Sequence, residues 1–393
     1  MKYGLVIYKE TKNIGDDIQC YAAARLLGRV DVVLDREHLD DIDSQEPVAV
    51  VMNGWFLHRK WNWPPANCLR PHFVAFHYAE YRMAQYYGEY VKKDFLSGPG
   101  LEYLKAWGPI GCRDLNTVQM LKDMGVEAYF SGCMTLTLPQ MPKAQPAKPY
   151  VCFVDVDPKA TEALSRQAQE EGVEPRVMTH LIPEYPAETS WEERARQVEK
   201  LLTVYQNASC VVTSRLHCAL PCLALGTPVL LVRPDLDNIR FQPYVQWMHT
   251  ATVKDARRGA VEYSFAQPPA NSGLHMETRE NLIRSVQKFA AEAENIPQKF
   301  DLPELERLRW QRDTMRHVLE ESLENYKFDI LKYERKCREL MRRETPQKPA
   351  KAKAENAEPA GPEEDSLWDK LYYNLKVNGV SVTLRKIKEN IRK

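Results

Sequence analysis

The sequence predicts an α/β protein made of two Rossmann-like, doubly wound domains that face each other across a cleft, followed by a C-terminal helical extension. Three observations carry this. Short β-branched strand patterns alternate with helix patterns through residues 1–300, as in parallel sheets covered by helices. The alternation pauses at a proline-rich stretch that begins at Gln140 and then restarts, which marks residues 141–149 as a linker between a first domain, 1–140, and a second, 150–300. The stretch 207–232 reads as strand, tight turn, helix, turn, strand, a complete βαβ unit.

In the first domain, residues 5–8 form the opening strand. The turn that follows holds Asn13, Gly15 and Asp16. Gly15 permits a tight backbone, and Asp16 or Asp17 caps a helix that runs to Leu27. Asn13, Gly15 and Asp16 thus stand at a strand–helix junction, where open parallel sheets bind ligands; Asp16 is either a ligand-facing carboxylate or a cap alone. Strands follow at 30–34 and 47–56. The second of these runs into a stretch with Trp55, Phe56, Trp61 and Trp63, aromatics that either pack on the domain or line a sugar-sized cleft. A strand at 73–77 ends on His77, which faces the cleft or is an ordinary polar end. Residues 101–106 are helical. Residues 110–125 give strand, turn and helix again, with Arg113 and Asp114 at the turn and Gly125 as the stop, and 126–130 is the next strand.

The second domain opens with a strand at 150–156, a helix at 159–171, a strand at 176–181 and a helix at 191–205 whose Ala195, Val198, Leu201 and Leu202 form an apolar stripe. The βαβ unit follows. Residues 210–212 are a buried strand, Thr213 and Ser214 are good N-caps, and Leu216, Ala219, Leu220, Leu223 and Ala224 recur at helical spacing. Pro221 kinks this helix or is tolerated near its first turn. Gly226 ends it and Pro228 prevents its continuation, before a strand at 229–232. The turn between strand and helix holds Ser214, Arg215 and His217. A helix N-terminus favours an anion, and a guanidinium and an imidazole add donors there, so the turn reads as a phosphate or carboxylate site. Side chains that only face solvent or cap a neighbour are the alternative. After this strand, Asp237, Asn238 and Arg240 lie near the same edge, and 277–294 is a closing helix.

Residues 301–343 are a long charged helix. Its imperfect apolar stripe within 302–341 packs on the body or pairs with a second copy as a homodimer. Residues 344–364 are rich in Pro, Ala, Lys and Glu, a flexible linker. The tail, 365–393, interleaves apolar residues with charged ones, seven basic and two acidic over 366–393, which suits a peripheral contact with an anionic membrane or a small helical hairpin docked on the body.

Lys+Arg 54 balances Asp+Glu 54, which argues against a general nucleic-acid binder. Hydrophobic residues at 44% with 27% charged describe a globular chain. No apolar run is long enough to span a membrane, and the N-terminus goes straight into a strand without a signal peptide, so the expected location is cytoplasmic, with peripheral contact at the inner face of the membrane. Nine scattered cysteines suit reduced thiols. Cys218 and Cys222, four apart beside His217, read as small buried helix positions rather than a metal site.

Asn13-Ile-Gly-Asp16 after the first strand, Gly111-Cys-Arg-Asp114 with its helix, and Val212-Thr-Ser-Arg-Leu-His217 through Gly226-Thr-Pro228 together resemble the polysaccharide pyruvyl transferase family over about residues 1–250. Where many members carry a glycine-rich turn after an early strand, this chain has Asn53-Gly-Trp-Phe56. The resemblance implies glycosyltransferase B-like architecture and transfer of the enolpyruvyl part of phosphoenolpyruvate onto two hydroxyls of a saccharide or lipid-linked saccharide in glycan biosynthesis. It implies no cofactor and no metal. On this reading Arg215, with Ser214 and helped by Arg113 or Arg240, clamps the two anionic groups of the donor. His217 does acid or base work. Asp16 takes the second such role or holds the acceptor, with Asn13, Gly15 and His77 as further substrate contacts. A nucleotide-sugar glycosyltransferase of the same architecture and a non-catalytic scaffold of a glycan assembly pathway are the alternatives.

Overall fold

Eleven strands among the described residues form two separate, all-parallel sheets. The structure, a computed structural model, describes residues 1–56, 63–78 and 96–344, apart from 145, 147 and 184. The chain divides into two compact units, Met1–Asp329 and Ile330–Lys393. Both sheets belong to the first unit. In the second, the description covers the helical residues 330–344.

The first sheet contains β1 (Lys2–Ile7), β2 (Val32–Asp35), β3 (Val48–Phe56), β4 (Leu69–Tyr78), β5 (Ile110–Cys112) and β6 (Ala128–Phe130), in the order β2-β1-β3-β4-β5-β6. Helices α1 (Ile14–Leu27), α2 (Gly98–Ala106) and α3 (Leu115–Asp123) connect them. The second sheet contains β7 (Tyr150–Val154), β8 (Glu174–Met178), β9 (Cys210–Thr213), β10 (Val229–Arg233) and β11 (His249–Thr252), in the order β11-β10-β9-β7-β8. Its helices are α4 (Pro158–Glu170), α5 (Trp191–Asn207) and α6 (Leu216–Leu225), with the short α7 (Val253–Arg257) after β11. The two sheets thus repeat one winding: the first strand sits between the second and the third. That order puts a switch point at the carboxyl ends of β1 and β3 in one sheet and of β7 and β9 in the other, the positions where such sheets bind ligands.

One apolar core runs through both halves. Leu5, Ile7 and Ile18 of the first pack in the same cluster as Leu216, Leu220 and Leu231 of the second. Helix α1 is buried on nearly every side, which explains its weak amphipathic pattern. The backbone joins the halves too: Ile14 N–H donates to His180 O and Ile182 N–H to Lys12 O, each at 3.0 Å. The cap of α1 is Asn13, whose side chain accepts from Gly15 N–H at 3.0 Å, not Asp16 or Asp17 as the sequence suggested. Asp16 instead accepts from Thr11 Oγ1 at 2.7 Å, and Asp17 pairs with Arg194 of α5.

The closing helix, α8 (Met276–Glu292), belongs by packing to the first sheet rather than to the second domain with which the sequence grouped it. Tyr3 OH donates to Ala290 O at 2.7 Å, and His72 stacks on Phe289 with centroids 4.9 Å apart. The long helix α9 (Glu304–Glu344) starts on the same side, where Arg307 donates to Pro64 O and Pro65 O and Trp310 Nε1 to Trp63 O. Of the aromatic stretch, Phe56 and Trp63 are core residues, Trp55 lines the cleft, and Trp61 lies outside the described residues. So do the residues from 345 on, where the sequence predicts a linker, a basic tail and a membrane contact. No described helix is long and apolar enough to cross a membrane.

Candidate active site

Both switch points open onto one cleft of about 800 Å³, lined by residues of the β1, β3, β4 and β5 ends from the first sheet and of the β8, β9 and β10 ends from the second. Every site residue named from the sequence except Gly15 lines it: Asn13, Asp16, His77, Arg113, Ser214, Arg215, His217 and Arg240. Gly15 acts one step away. A Cβ on it would stand 3.0 Å from the His217 Cβ and 3.1 Å from Asn13 Oδ1. Its missing side chain lets the starts of α1 and α6 meet.

The β9–α6 turn is built differently from the expected N-cap. Thr213 Oγ1 donates to Val154 O and accepts from Arg215 N–H, both at 3.0 Å, and Ser214 Oγ donates to Asp155 O. Arg215 is the residue at the cap, and no side chain caps the helix. Pro221 lies beyond the first turn of α6, so it removes the bond that the His217 carbonyl would accept. Cys218 and Cys222 are fully buried in the core.

His217 sits where the halves touch. Its Nδ1 is 3.3 Å from Gln19 Nε2 and its Nε2 is 3.3 Å from Arg113 Nη1. Arg113 has donors only, and it donates to Gln19 Oε1 at 2.7 Å. This orients the amide so that its nitrogen faces His217. Both ring nitrogens therefore meet N–H groups, whereas a neutral imidazole accepts at one and an imidazolium at neither. Burial first, then the charges of Arg113 and Arg240, then His180 and His77, hold the His217 pKa well below its ordinary value. The ring is neutral at pH 7.

His77 forms a second unit. It faces Asp114, Nδ1 to Oδ2 at 2.6 Å, and Asp114 also accepts from Thr117 N–H at 2.8 Å and Thr117 Oγ1 at 2.9 Å. Burial and the Arg113 charge push His77 down to about 4, against the pull of Asp114. Burial works to raise Asp114, but its hydrogen bonds with His77 and Thr117 outweigh this and keep the carboxyl below the usual range. At neutral pH the pair is an ionised carboxylate and a neutral ring, whose proton lies on Nδ1.

Two non-glycine residues have left-handed backbones among the described residues, Ala75 at φ 52° and Asp155 at φ 51°. Such strain collects at functional sites, and each of these residues aims a side chain. At Ala75, β4 carries one residue more than β3: Met52 pairs with Phe73, but Gly54 pairs with Phe76. An extra residue turns everything beyond it to the other face, which is how His77 comes to line the cleft. Ser131 Oγ fixes the bulge by accepting from Ala75 N–H at 2.9 Å. Asp155, directly after β7, accepts from Thr179 Oγ1 at 2.6 Å, His180 N–H at 2.9 Å and Arg215 Nε at 3.0 Å. It braces Arg215, whose side chain stays about one-third exposed.

Asp155, Gln19, His180 and Arg233 were not singled out from the sequence. Arg233 could have been found, because it directly follows the apolar run of β10; it pairs with Asp235 and stacks on Phe241, 4.2 Å from the ring centroid. Asn238 bonds Asp235 at 2.9 Å and accepts from Arg240 N–H at 3.1 Å, which ties the Arg240 loop to Arg233. Tyr244 OH donates to Arg113 O and fastens the same loop to the first domain. Asp237, expected at this edge, is not among the lining residues.

No curated protein matches the chain. Among solved structures, S. aureus MnaA in its UDP co-structure matches at 10% identity and TM-score 0.34, over 77% of this chain and 100% of that one. The Methanocaldococcus jannaschii UDP-GlcNAc 2-epimerase in complex with UDP-GlcNAc and UDP matches at 10% identity and TM-score 0.33, over 78% and 98%. Likeness at that level carries no argument about this site. The family model for polysaccharide pyruvyl transferase matches residues 13–235, more than half of the 393 residues, from the Asn13 turn through the β10 edge. The chain therefore belongs to the polysaccharide pyruvyl transferase family and is a transferase.

Proposed function

We propose that the protein transfers the enolpyruvyl group of phosphoenolpyruvate to a saccharide diol, forming a pyruvate ketal and releasing phosphate, in the assembly of a surface glycan. The observation that carries this is the convergence of Arg113, Arg215, Arg233 and Arg240 on one cleft that also holds a buried neutral histidine. Phosphoenolpyruvate offers two anionic groups to such a set of arginines. In the reaction, C2 of the donor gains two C–O bonds to the acceptor and loses its bond to the phosphate oxygen. Of the two hydroxyl protons, one is balanced by protonation of the methylene carbon, which becomes a methyl group, and the other leaves with phosphate. Arg215 and Arg240, with Ser214 and Arg113, bind the donor and stabilise the departing phosphate. Asp16, on the first-domain side with Asn13, takes the acceptor's proton. His77, oriented by Asp114, positions the donor. His217 delivers the proton to the methylene carbon once the donor's charges offset those of Arg113 and Arg240 and raise its proton affinity. This reading requires no cofactor.

The test mixes purified protein, phosphoenolpyruvate and candidate glycans, and follows phosphate release and the ketal methyl resonance. If phosphoenolpyruvate neither binds nor is consumed while a UDP- or GDP-sugar raises the melting temperature, the donor assignment gives way to a glycosyltransferase. Turnover retained after deleting residues 345–393 would argue against the non-catalytic scaffold. Arg215→Ala is expected to weaken donor binding by roughly ten- to a hundredfold, the loss of one charge-assisted contact. Asp155→Asn, which leaves the guanidinium but removes its charged brace, is expected to have a smaller effect. Calorimetry with phosphoenolpyruvate measures both.

Leu305, Leu308, Met315, Leu319 and Tyr326 of α9 are exposed and recur at spacings of three, four and seven. That seam favours the homodimer expected from residues 302–341. Leu308→Lys combined with Leu319→Lys is expected to give a monomer in sedimentation equilibrium; an unchanged mass would remove this helix from the interface.

A further inference from the structure

Trp55 differs from the aromatics around it. Phe56 and Trp63 are buried in the first domain's core, while Trp55 is half-buried and lines the cleft together with Tyr8. Tyr8 directly follows β1 and Trp55 is the penultimate residue of β3, so the two rings flank the first sheet's switch point. Behind them lies Arg36, from the turn after β2. It is buried and is not among the lining residues, and its guanidinium stands 4.1 Å from the Tyr8 centroid and 4.8 Å from the Trp55 centroid. Glu37 meets its charge, Nε to Oε1 at 3.0 Å. A cation held against both rings fixes their planes, and the Glu37 carboxylate offsets its charge.

The cleft is therefore chemically divided. Arg215, Arg233 and Arg240 make its second-domain side cationic, whereas the ends of β1 and β3 contribute Tyr8, Trp55, Glu10 and Asp16, with Lys12 as the basic residue of that group. Two carboxylates repel an anionic donor, and a flat ring surface offers it nothing. A neutral pyranose has the matching character: one C–H face that stacks on an aromatic ring, and a rim of hydroxyls that donate to carboxylates. The cleft volume, about 800 Å³, is several times what a three-carbon donor fills and leaves room for a sugar beside it.

We propose that Tyr8 and Trp55 form the acceptor platform, and that the group bound there is an uncharged hexopyranose that lays a C–H face on Trp55 and turns its hydroxyls to Asp16 and Glu10. This rests on the transferase reading above and names the acceptor class it requires.

The probes are methyl β-galactopyranoside, methyl β-glucopyranoside, methyl α-mannopyranoside and methyl β-glucuronide. Each is titrated into the full chain with and without phosphoenolpyruvate, and is followed by saturation-transfer NMR and calorimetry. At least one neutral glycoside is expected to bind, with the glucuronide at least about tenfold weaker. Trp55→Ala is expected to weaken the neutral glycoside by at least about tenfold, and Trp55→Phe to stay within about threefold of wild type, both with unchanged affinity for phosphoenolpyruvate. The platform is overturned if no neutral glycoside binds, if binding survives Trp55→Ala, if the glucuronide binds equally well, or if Trp55→Ala weakens phosphoenolpyruvate as much as the sugar. Glycoside binding that depends on Trp55, in a protein that does not bind phosphoenolpyruvate, would retain the platform and reject the donor.

Discussion

Replacing Asp17 with alanine is expected to destabilise the folded chain by about 3–5 kcal/mol. Asp17 starts from α1 of the first domain and Arg194 from α5 of the second, and both are buried. Arg194 Nε donates to Asp17 Oδ1 at 3.1 Å and Oδ2 at 3.2 Å, a further bond joins Nη2 to Oδ1, and Nη2 also donates to Tyr8 O at 2.8 Å. Tyr185 OH donates to Asp17 at 3.0 Å. Burial nonetheless raises the Asp17 pKa, against the opposing pull of Arg194 and Tyr185. The pair therefore does not fully offset its own desolvation, and its removal as a pair should cost little. What costs is a stranded guanidinium. Asp17→Leu combined with Arg194→Met should recover most of the loss, and urea unfolding of the two singles and the double measures this. A single mutant within about 0.5 kcal/mol of wild type would show that Arg194 finds another partner. The sign of the pH effect follows from the raised value: the folded state holds the Asp17 proton more tightly than the unfolded chain, so this group lowers stability as pH rises from the ordinary carboxyl value of 3.8 through the raised one. Because Arg194 also fixes the backbone of Tyr8, the same substitution should loosen the aromatic side of the cleft.

The alternation of strands and helices in the sequence was enough to place the switch points, because strand ends are local: a β-branched run, then a turn, then a capped helix. That logic found Asn13, Asp16, His77, Arg113, Ser214, Arg215, His217 and Arg240 at the cleft. It missed what depends on distant partners. Gln19 lies inside α1 and matters because Arg113, 94 residues on, and α6 of the other half, 198 residues on, arrive beside it. The cap assignments for Asp17, Thr213 and Ser214 failed for the same reason, while Asp16 is engaged locally by Thr11. Each has a good capping side chain, and each is engaged elsewhere, Asp17 by a residue 177 positions away. The bulge at Ala75 leaves no trace in a strand apolar on both faces, since an added residue does not disturb a pattern that lacks alternation. Without it His77 would point into the opposite layer.

His217→Gln is expected to lower kcat by roughly a hundred- to ten-thousandfold, with donor affinity changed only a few-fold. Glutamine keeps the hydrogen-bonding size of the ring but holds no transferable proton. Proton transfer separates a chemical from a structural role for this ring. In the free protein, burial and the charges of Arg113 and Arg240 keep His217 neutral. A lowered histidine pKa means that the unfolded chain binds the proton first, so this group raises stability as pH climbs from the lowered value toward the ordinary 6.5, and that contribution is lost again in acid. A bound polyanion reverses the local field, so donor binding should take up a proton at His217, and affinity should fall as pH rises through the pKa of the complex. Calorimetry in two buffers of different ionisation enthalpy reads that uptake directly. His217→Gln should abolish it, and Arg113→Gln should reduce it, because the ring then starts closer to its ordinary value. If proton uptake is the same in His217→Gln as in wild type, the imidazole is not the group that titrates with the donor, and its place between Gln19 and Arg113 is packing between two domains.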